Sequence, residues 1–151
     1  MKTVLFVRGI PGSGKTTYAK YLARQLKCEY FEADQFLVDD EGNYSYDKSK
    51  LQEAHDACIQ AGIDYLQENT HVIYSNTFVK NFDFEKYLQQ LHETFGKFEA
   101  QFYVTNYAGQ SIHGVPGHVI DRMKLNFASN QELIAYFKTK YDLRYFDCFT
   151  R

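Results

Sequence analysis

The chain has 151 residues, which suits one domain of roughly 150 residues rather than two. Its 44% hydrophobic and 24% charged residues are a globular composition that excludes intrinsic disorder. A formal net charge of -2 gives no overall basic field to mark a long nucleic-acid duplex as partner, although a local groove stays open.

Thr3 to Val7 is a continuous β-branched and apolar run ending near Gly9, the pattern of a strand buried on both faces. Tyr18, Ala19, Leu22, Ala23 and Leu26 then recur at helical spacing, so a helix is expected over residues 15–27. Cys28 to Ala33 reads as a second strand, and Asp39 to Asp47, with Gly42 and Asn43, as a loop. Leu51, Ala54, Cys58, Ala61 and Tyr65 form the apolar stripe of a long helix. His71 to Ser75 gives a third strand, and Phe84, Tyr87, Leu88, Leu91 and Phe95 another helix.

Phe98 to Tyr107 alternates apolar and polar residues, so it is expected as a strand with one wetter face, near a sheet edge. Pro116 can open a helix carrying Val119, Ile120, Met123 and Phe127 on one side. Ser129 and Glu132 form a capping box for a further helix through Leu133, Ile134, Phe137 and Tyr141, and Leu143 to Phe149 reads as a last strand. The alternation of strands and helices, without repeats or low-complexity linkers, predicts a mostly parallel sheet of about five strands with helices on both faces, as one domain over residues 1–151. Ligands of such folds bind beyond the carboxyl ends of the strands.

No stretch approaches the ~20 apolar residues of a membrane span, and the apolar run from Val4 to Val7 is broken by Arg8 before it reaches the length of a signal-peptide core. Cys28, Cys58 and Cys148 are sparse, odd in number and without CxxC spacing, which reads as ordinary thiols in a reducing compartment. These features lead to the expectation of a soluble, cytoplasmic protein with no membrane association and no sign of an obligate protein partner.

The chemistry lies at the first strand-to-helix turn. Gly9, Gly14, Lys15 and Thr16 match G-x-x-x-x-G-K-[ST], with Ile10, Pro11, Gly12 and Ser13 between them and Thr17 following. Glycines there let backbone N–H groups converge on phosphate oxygens at a helix N-terminus. Lys15 neutralises the β- and γ-phosphates and Thr16 supplies a hydroxyl to Mg²⁺. A bound nucleotide triphosphate in so short a chain points to a small kinase. Asp34, just past the second strand, is positioned as the base that takes a proton from an acceptor hydroxyl, its plainer reading being a turn or cap residue.

With Arg8 to Thr17 (RGIPGSGKTT), Glu32 to Phe36 (EADQF), Asn76 and Thr77, and His113 to Met123 (HGVPGHVIDRM), the chain resembles the small P-loop kinases similar to the kinase domain of phage-type polynucleotide 5'-kinase, often labelled AAA-type ATP-binding proteins. The resemblance implies a P-loop NTPase-type three-layer fold, ATP with Mg²⁺ as donor, Asp34 as base, Asn76 and Thr77 near the acceptor, a helical lid over about residues 109–128, and Arg122 as the lid's phosphate clamp. It implies a 5'-hydroxyl of a nucleic acid or nucleotide as acceptor.

The chain departs from this pattern in three places. Asp34 is followed by Gln35, Phe36 and Leu37 where the family carries an Arg. Asn126 stands at the lid's second basic position, with Lys124 as the nearby substitute. The third strand ends in Ile73, Tyr74 and Ser75 without an evident Walker-B aspartate. A small-metabolite kinase and a non-catalytic NTP-binding regulatory module are the competing readings. The pair His113 and His118 reads as loop and cap rather than metal ligands, His55 as a mid-helix structural residue with the alternative of facing the acceptor cleft, and the aromatic load, including Tyr44, Tyr46, Phe78, Phe82, Phe84, Tyr103 and Tyr107, as mostly core with stacking surfaces for an adenine or a base as the alternative.

Overall fold

A computed structural model of the chain describes residues 1–106 and 115–150. Five strands, β1 (Thr3–Arg8), β2 (Tyr30–Phe31), β3 (His71–Asn76), β4 (Glu99–Val104) and β5 (Arg144–Cys148), alternate with helices α1 (Lys15–Leu26), α2 (Leu51–Gln67), α3 (Asn81–Phe95), α4 (Gly117–Asn126) and α5 (Asn130–Phe137). The strands form one sheet in the order β2-β3-β1-β4-β5, and each pair is parallel. Every residue of β1 is buried, as its central place requires.

The sheet has two apolar faces. Leu5, Val7 and Ile73 pack on Ala19 and Leu22 of α1. On the other face Val4, Phe6, Val72, Tyr74, Ala100 and Phe102 meet α2 through Cys58, Ile59 and Ile63, α3 through Phe84, Tyr87 and Leu88, and α5 through Leu133 and Phe137. The result is the expected three-layer sandwich. The aromatic surplus is spent largely here: Phe6 stacks on Phe102 at 5.4 Å, and Phe78 on Phe84 at 4.5 Å.

Local sequence chemistry sets the helix ends. Ser129 caps α5 by accepting from the Glu132 N–H; of the expected box only this half forms, because the Glu132 carboxylate accepts from the Ser129 hydroxyl at 3.2 Å instead of from its backbone N–H. Asp83 accepts from the backbone N–H groups of Val79 and Lys80 at the start of α3, an anion at the positive end of a helix. Two expectations are corrected. The second strand is confined to Tyr30–Phe31, because Glu32 leads into a turn of 3-10 helix over Ala33–Phe36. β4 lies inside the sheet, since residues 144–148 cover the edge that its alternating pattern suggested.

Leu37, 2% exposed, belongs to the core, and the loop after it carries an isolated antiparallel bridge between Val38 and Tyr44. Among the described residues no helix is long and apolar enough to cross a membrane.

Candidate functional site

The segment from Gly9 to Gly14 joins the carboxyl end of β1 to the N-terminus of α1. Gly12 and Gly14 take φ of 83° and 87°, the left-handed region that glycine enters without steric cost. A Cβ at Gly9 would collide with the Ser13 and Thr105 hydroxyls and stand 3.0 Å from the Thr105 carbonyl. These contacts show what holds the loop's shape. Ser13 Oγ lies 2.7 Å from Thr105 Oγ1, the Thr105 N–H donates to the Arg8 carbonyl at 2.9 Å, and the Gly9 N–H to that of Thr77 at 3.3 Å.

Lys15 Nζ folds back to donate to the Ile10 carbonyl at 3.1 Å. Burial pulls its pKa below the usual lysine range, against the opposing pull of Glu32 and Asp34, so a desolvated ammonium faces two carboxylates at the mouth of the loop. Thr16 Oγ1 donates to Glu32 Oε2 at 2.9 Å. Thr17 is exposed on the outer side of α1. There, with Tyr21, Arg24, Thr105, Asn106 and Thr150, it lines a cleft of about 880 Å³.

The donor set suits Mg²⁺. Thr16 gives its proton to Glu32 and so keeps its oxygen lone pairs for a cation, next to a carboxylate. Ser75, paired in register with Val7, is fully buried with no hydrogen-bond partner for its Oγ, leaving an unused polar atom at the carboxyl end of β3. Among the described residues no group of three or more His, Cys, Asp or Glu side chains is placed to hold a metal ion. A cation here would therefore be completed by phosphate oxygens and water, as Mg²⁺ tolerates well.

Asp34 sits in the 3-10 turn beside this cradle. Its charge is felt by Lys15, Tyr44 and His55. Asn76, at the end of β3, accepts from the Ala33 N–H at 2.9 Å and donates to the Tyr87 hydroxyl at 3.1 Å. Its amide thus supports the Asp34 turn. Thr77 is half-buried and meets the loop through its carbonyl.

Of the segment expected as a lid, residues 109–114, His113 among them, lie outside the described residues, as does Tyr107. None of the residues of α4 is buried. Ile120 and Lys124, with Phe127 just beyond the helix, line a cleft with Gly9, Ile10, Pro11 and Ser13. Arg122 is exposed and stands two residues from both Ile120 and Lys124, which at about 3.6 residues per turn puts it on the other side of α4. His118 is also exposed.

Arg8 plays a part that the sequence did not suggest. It is fully buried, and its guanidinium donates to the Phe78 carbonyl through Nε (3.0 Å) and Nη2 (2.9 Å), to the Val79 carbonyl (3.1 Å) and to Asn130 Oδ1 (2.8 Å). Phe127 lies over it at 4.1 Å, and Asn130 passes the network on to Asp147 at 2.8 Å. Burial lowers its pKa to about 10, still far above neutral, so it remains charged. It ties the segment after β3 and the start of α5 to the end of β1, next to the glycine-rich loop. Glu32, which opens the EADQF segment, is the other participant to which the sequence reading gave no role.

Comparison with known proteins agrees with the fold. A family model described as AAA domain matches residues 4–105. The Pnkp1/Rnl/Hen1 RNA repair complex contains a chain that superimposes with a TM-score of 0.58 at 21% identity, covering 95% of this chain and 47% of that one. A putative kinase from Chloroflexus aurantiacus gives 0.58 at 18% identity, with 92% and 65% covered. Kti12 from Chaetomium thermophilum in complex with ADP-AlF3 gives 0.57 at 12%, with 96% and 88% covered. The chain spans less than two thirds of the length of the first two. What it shares with them is the P-loop kinase type of fold.

Proposed function

The chain belongs to the AAA domain family, and from that premise we propose that it is an ATP-dependent kinase moving the γ-phosphoryl group of ATP to a hydroxyl acceptor. The observation that carries this reading is the convergence of Lys15, the Thr16–Glu32 pair and Asp34 at the mouth of one glycine-rich loop. A loop with Lys15 and Thr16 accounts for nucleotide binding; Asp34 beside it accounts for transfer.

In this reading the backbone N–H groups of Gly12 and of Gly14 to Thr17 cradle the phosphates, and Lys15 exchanges its bond to the Ile10 carbonyl for the β- and γ-oxygens. Thr16, with Glu32 behind it, would hold Mg²⁺, which when bound neutralises charge on the transferring group. Asp34 takes the acceptor's hydroxyl proton as that oxygen bonds to the γ-phosphorus and the bond to ADP breaks. General-base assistance of this kind contributes ~10²–10⁴-fold. The lid supplies cationic charge. Lys124 faces the phosphate side of the cleft, and Arg122 joins it only if α4 turns as it closes.

The acceptor, by resemblance, is a 5'-hydroxyl of a nucleic acid or nucleotide, with Asn76 and Thr77 nearby. Leu37, buried in the core, and the exposed Asp39, Asp40 and Glu41 favour a second acceptor class, a small hydroxyl compound, because they offer a polyanion no cation. The test is transfer of labelled γ-phosphate from ATP to 5'-hydroxyl oligonucleotides, nucleosides and hydroxylated metabolites, with Asp34→Asn as control. Transfer that Asp34→Asn abolishes while ATP still binds supports the assignment. ATP binding without transfer to any acceptor leaves a nucleotide-sensing module.

A further inference from the structure

We infer that Tyr87 and His55 are positioning residues that fix Asp34 through Asn76, with a neutral His55 accepting the last hydrogen bond of the chain; the inference rests on the reading of Asp34 as the base.

The direction of each bond follows from the one before it. The Ala33 N–H can only donate, so Asn76 turns Oδ1 toward it (2.9 Å) and Nδ2 toward Tyr87. The Tyr87 oxygen therefore accepts from Asn76 at 3.1 Å, and its single proton is left for His55 Nδ1, 2.7 Å away. His55 Nδ1 is then an acceptor, and Nε2 carries the ring proton. The Tyr87 ring is 1% exposed and held edge-on by Phe78 at 5.0 Å and Tyr74 at 5.1 Å, and the other group within reach of its hydroxyl, the Cys58 thiol, is a weaker acceptor than an imidazole nitrogen.

This chain matters because of what β2 lacks. Its ladder with β3 stops at Phe31, so the turn carrying Asp34 receives no further strand bonds. The turn closes on itself through Gln35 N–H to the Glu32 carbonyl and Leu37 N–H to the Asp34 carbonyl. The Asn76 side chain supplies the tie between that turn and the end of β3, one residue before Asp34. Asn76 is thus a positioning residue in this scheme, both ends of its amide being used within the protein.

His55 faces charge from several elements. On its own helix lies Asp56, held by Lys86 of α3 at 2.6 Å; α3 also brings Asp83, and the turn after β2 brings Asp34. Cys58 and Tyr74 flank Tyr87. Burial keeps the imidazole below its usual range, outweighing the upward pull of Asp83, Asp34 and Asp56. Protonating Nδ1 would turn the terminal acceptor into a donor, leave the Tyr87 oxygen facing two donors, and set a cation near Asp34. Both changes weaken the base, so transfer should fall on the acid side.

The test uses the whole protein. Long-range proton–nitrogen NMR at about pH 8, above the unperturbed imidazole range near ~6.5, should show His55 protonated at Nε2; protonation at Nδ1 overturns the chain. Tyr87→Phe keeps the ring and removes the hydroxyl. It should speed Ala33 amide exchange and lower kcat for transfer to a 5'-hydroxyl oligonucleotide each by about tenfold, the scale of one ordinary hydrogen bond, with KM for ATP within about twofold. His55→Asn places a non-titrating oxygen near the Nδ1 position, so it should retain Ala33 protection and lose the acid-side fall. Wild-type exchange in Tyr87→Phe sinks the inference even where the oligonucleotide is not the acceptor. Full transfer by Asp34→Asn would instead remove the base reading on which it rests.

Discussion

Arg8→Met removes a buried cation while keeping the unbranched stem, and the structure sets the size of the loss. The Phe78 carbonyl and Asn130 Oδ1 lose their donors from Arg8, whereas the Val79 carbonyl keeps the Ala128 N–H at 2.8 Å. Two buried acceptors left unsatisfied at ~1–3 kcal/mol each bracket the ~3–5 kcal/mol found when a buried charged network loses one member. Phe78 adds to this, because it holds a φ of 43°, unusual for a bulky residue, with its carbonyl fixed by two of the lost bonds. Since a domain's whole stability is ~5–15 kcal/mol, the variant should fold but melt lower by about 6–20 °C, taking ~2–4 °C per kcal/mol for this size. Urea unfolding followed by circular dichroism should show a lower midpoint at an unchanged slope. A loss under ~1 kcal/mol would mean that the guanidinium is not holding these carbonyls. Arg8→Lys should recover only part of the loss, because an ammonium cannot reproduce the planar fork.

Three further outcomes are expected. Gly9→Ala forces a methyl group against Ser13 and Thr105 and should cost ~1–3 kcal/mol of stability and weaken ATP binding at least tenfold; calorimetry showing wild-type affinity would contradict the loop geometry. Lys124→Met should reduce the preference for ATP over ADP by about tenfold, the worth of a charge-assisted hydrogen bond, while Arg122→Met changes it less; the reverse order would show that α4 turns on closure. His55 has its pKa lowered by burial, so the stability tied to its neutral form is complete above the unfolded value near ~6.5 and is lost as pH falls from there through the folded value. Urea midpoints of His55→Asn should accordingly fall less than those of the wild type between about pH 8 and about pH 5, and parallel curves would count against the assignment.

The sequence made the local features readable and hid the distant ones. The apolar run of β1, the glycine motif and the Ser129 cap each depend on residues a few positions apart, and they stand where their patterns indicated. The sheet edge was misjudged at β4 because alternation reports a wet face without saying how many strands lie beyond it. Arg8 looked like the charge that ends a strand. Its partners Phe78 and Asn130 are 70 and 122 residues away, beyond any periodicity argument. The same holds for His55 and Tyr87, separated by 32 residues: each fits its own helix, and only the packing of α2 against α3 brings them together. Arg122 was singled out by its place in a motif, and motif spacing does not fix which side of an exposed helix faces the phosphates.

The central position of β1 bears on how the protein is made. β1 leaves the ribosome before either partner and can pair only when His71–Asn76 and Glu99–Val104 have followed it, and Arg8 meets Asn130 only after a further stretch of chain. At ~5–20 residues per second, the 122 residues between them take roughly 6–25 s to synthesise. Throughout that interval an apolar strand, a glycine-rich loop and an unpaired guanidinium wait together near the N-terminus. Nascent chains halted before β3 would display that strand without either neighbour and be natural clients for chaperones, whereas synthesis through Asn130 lets Arg8 complete its network last.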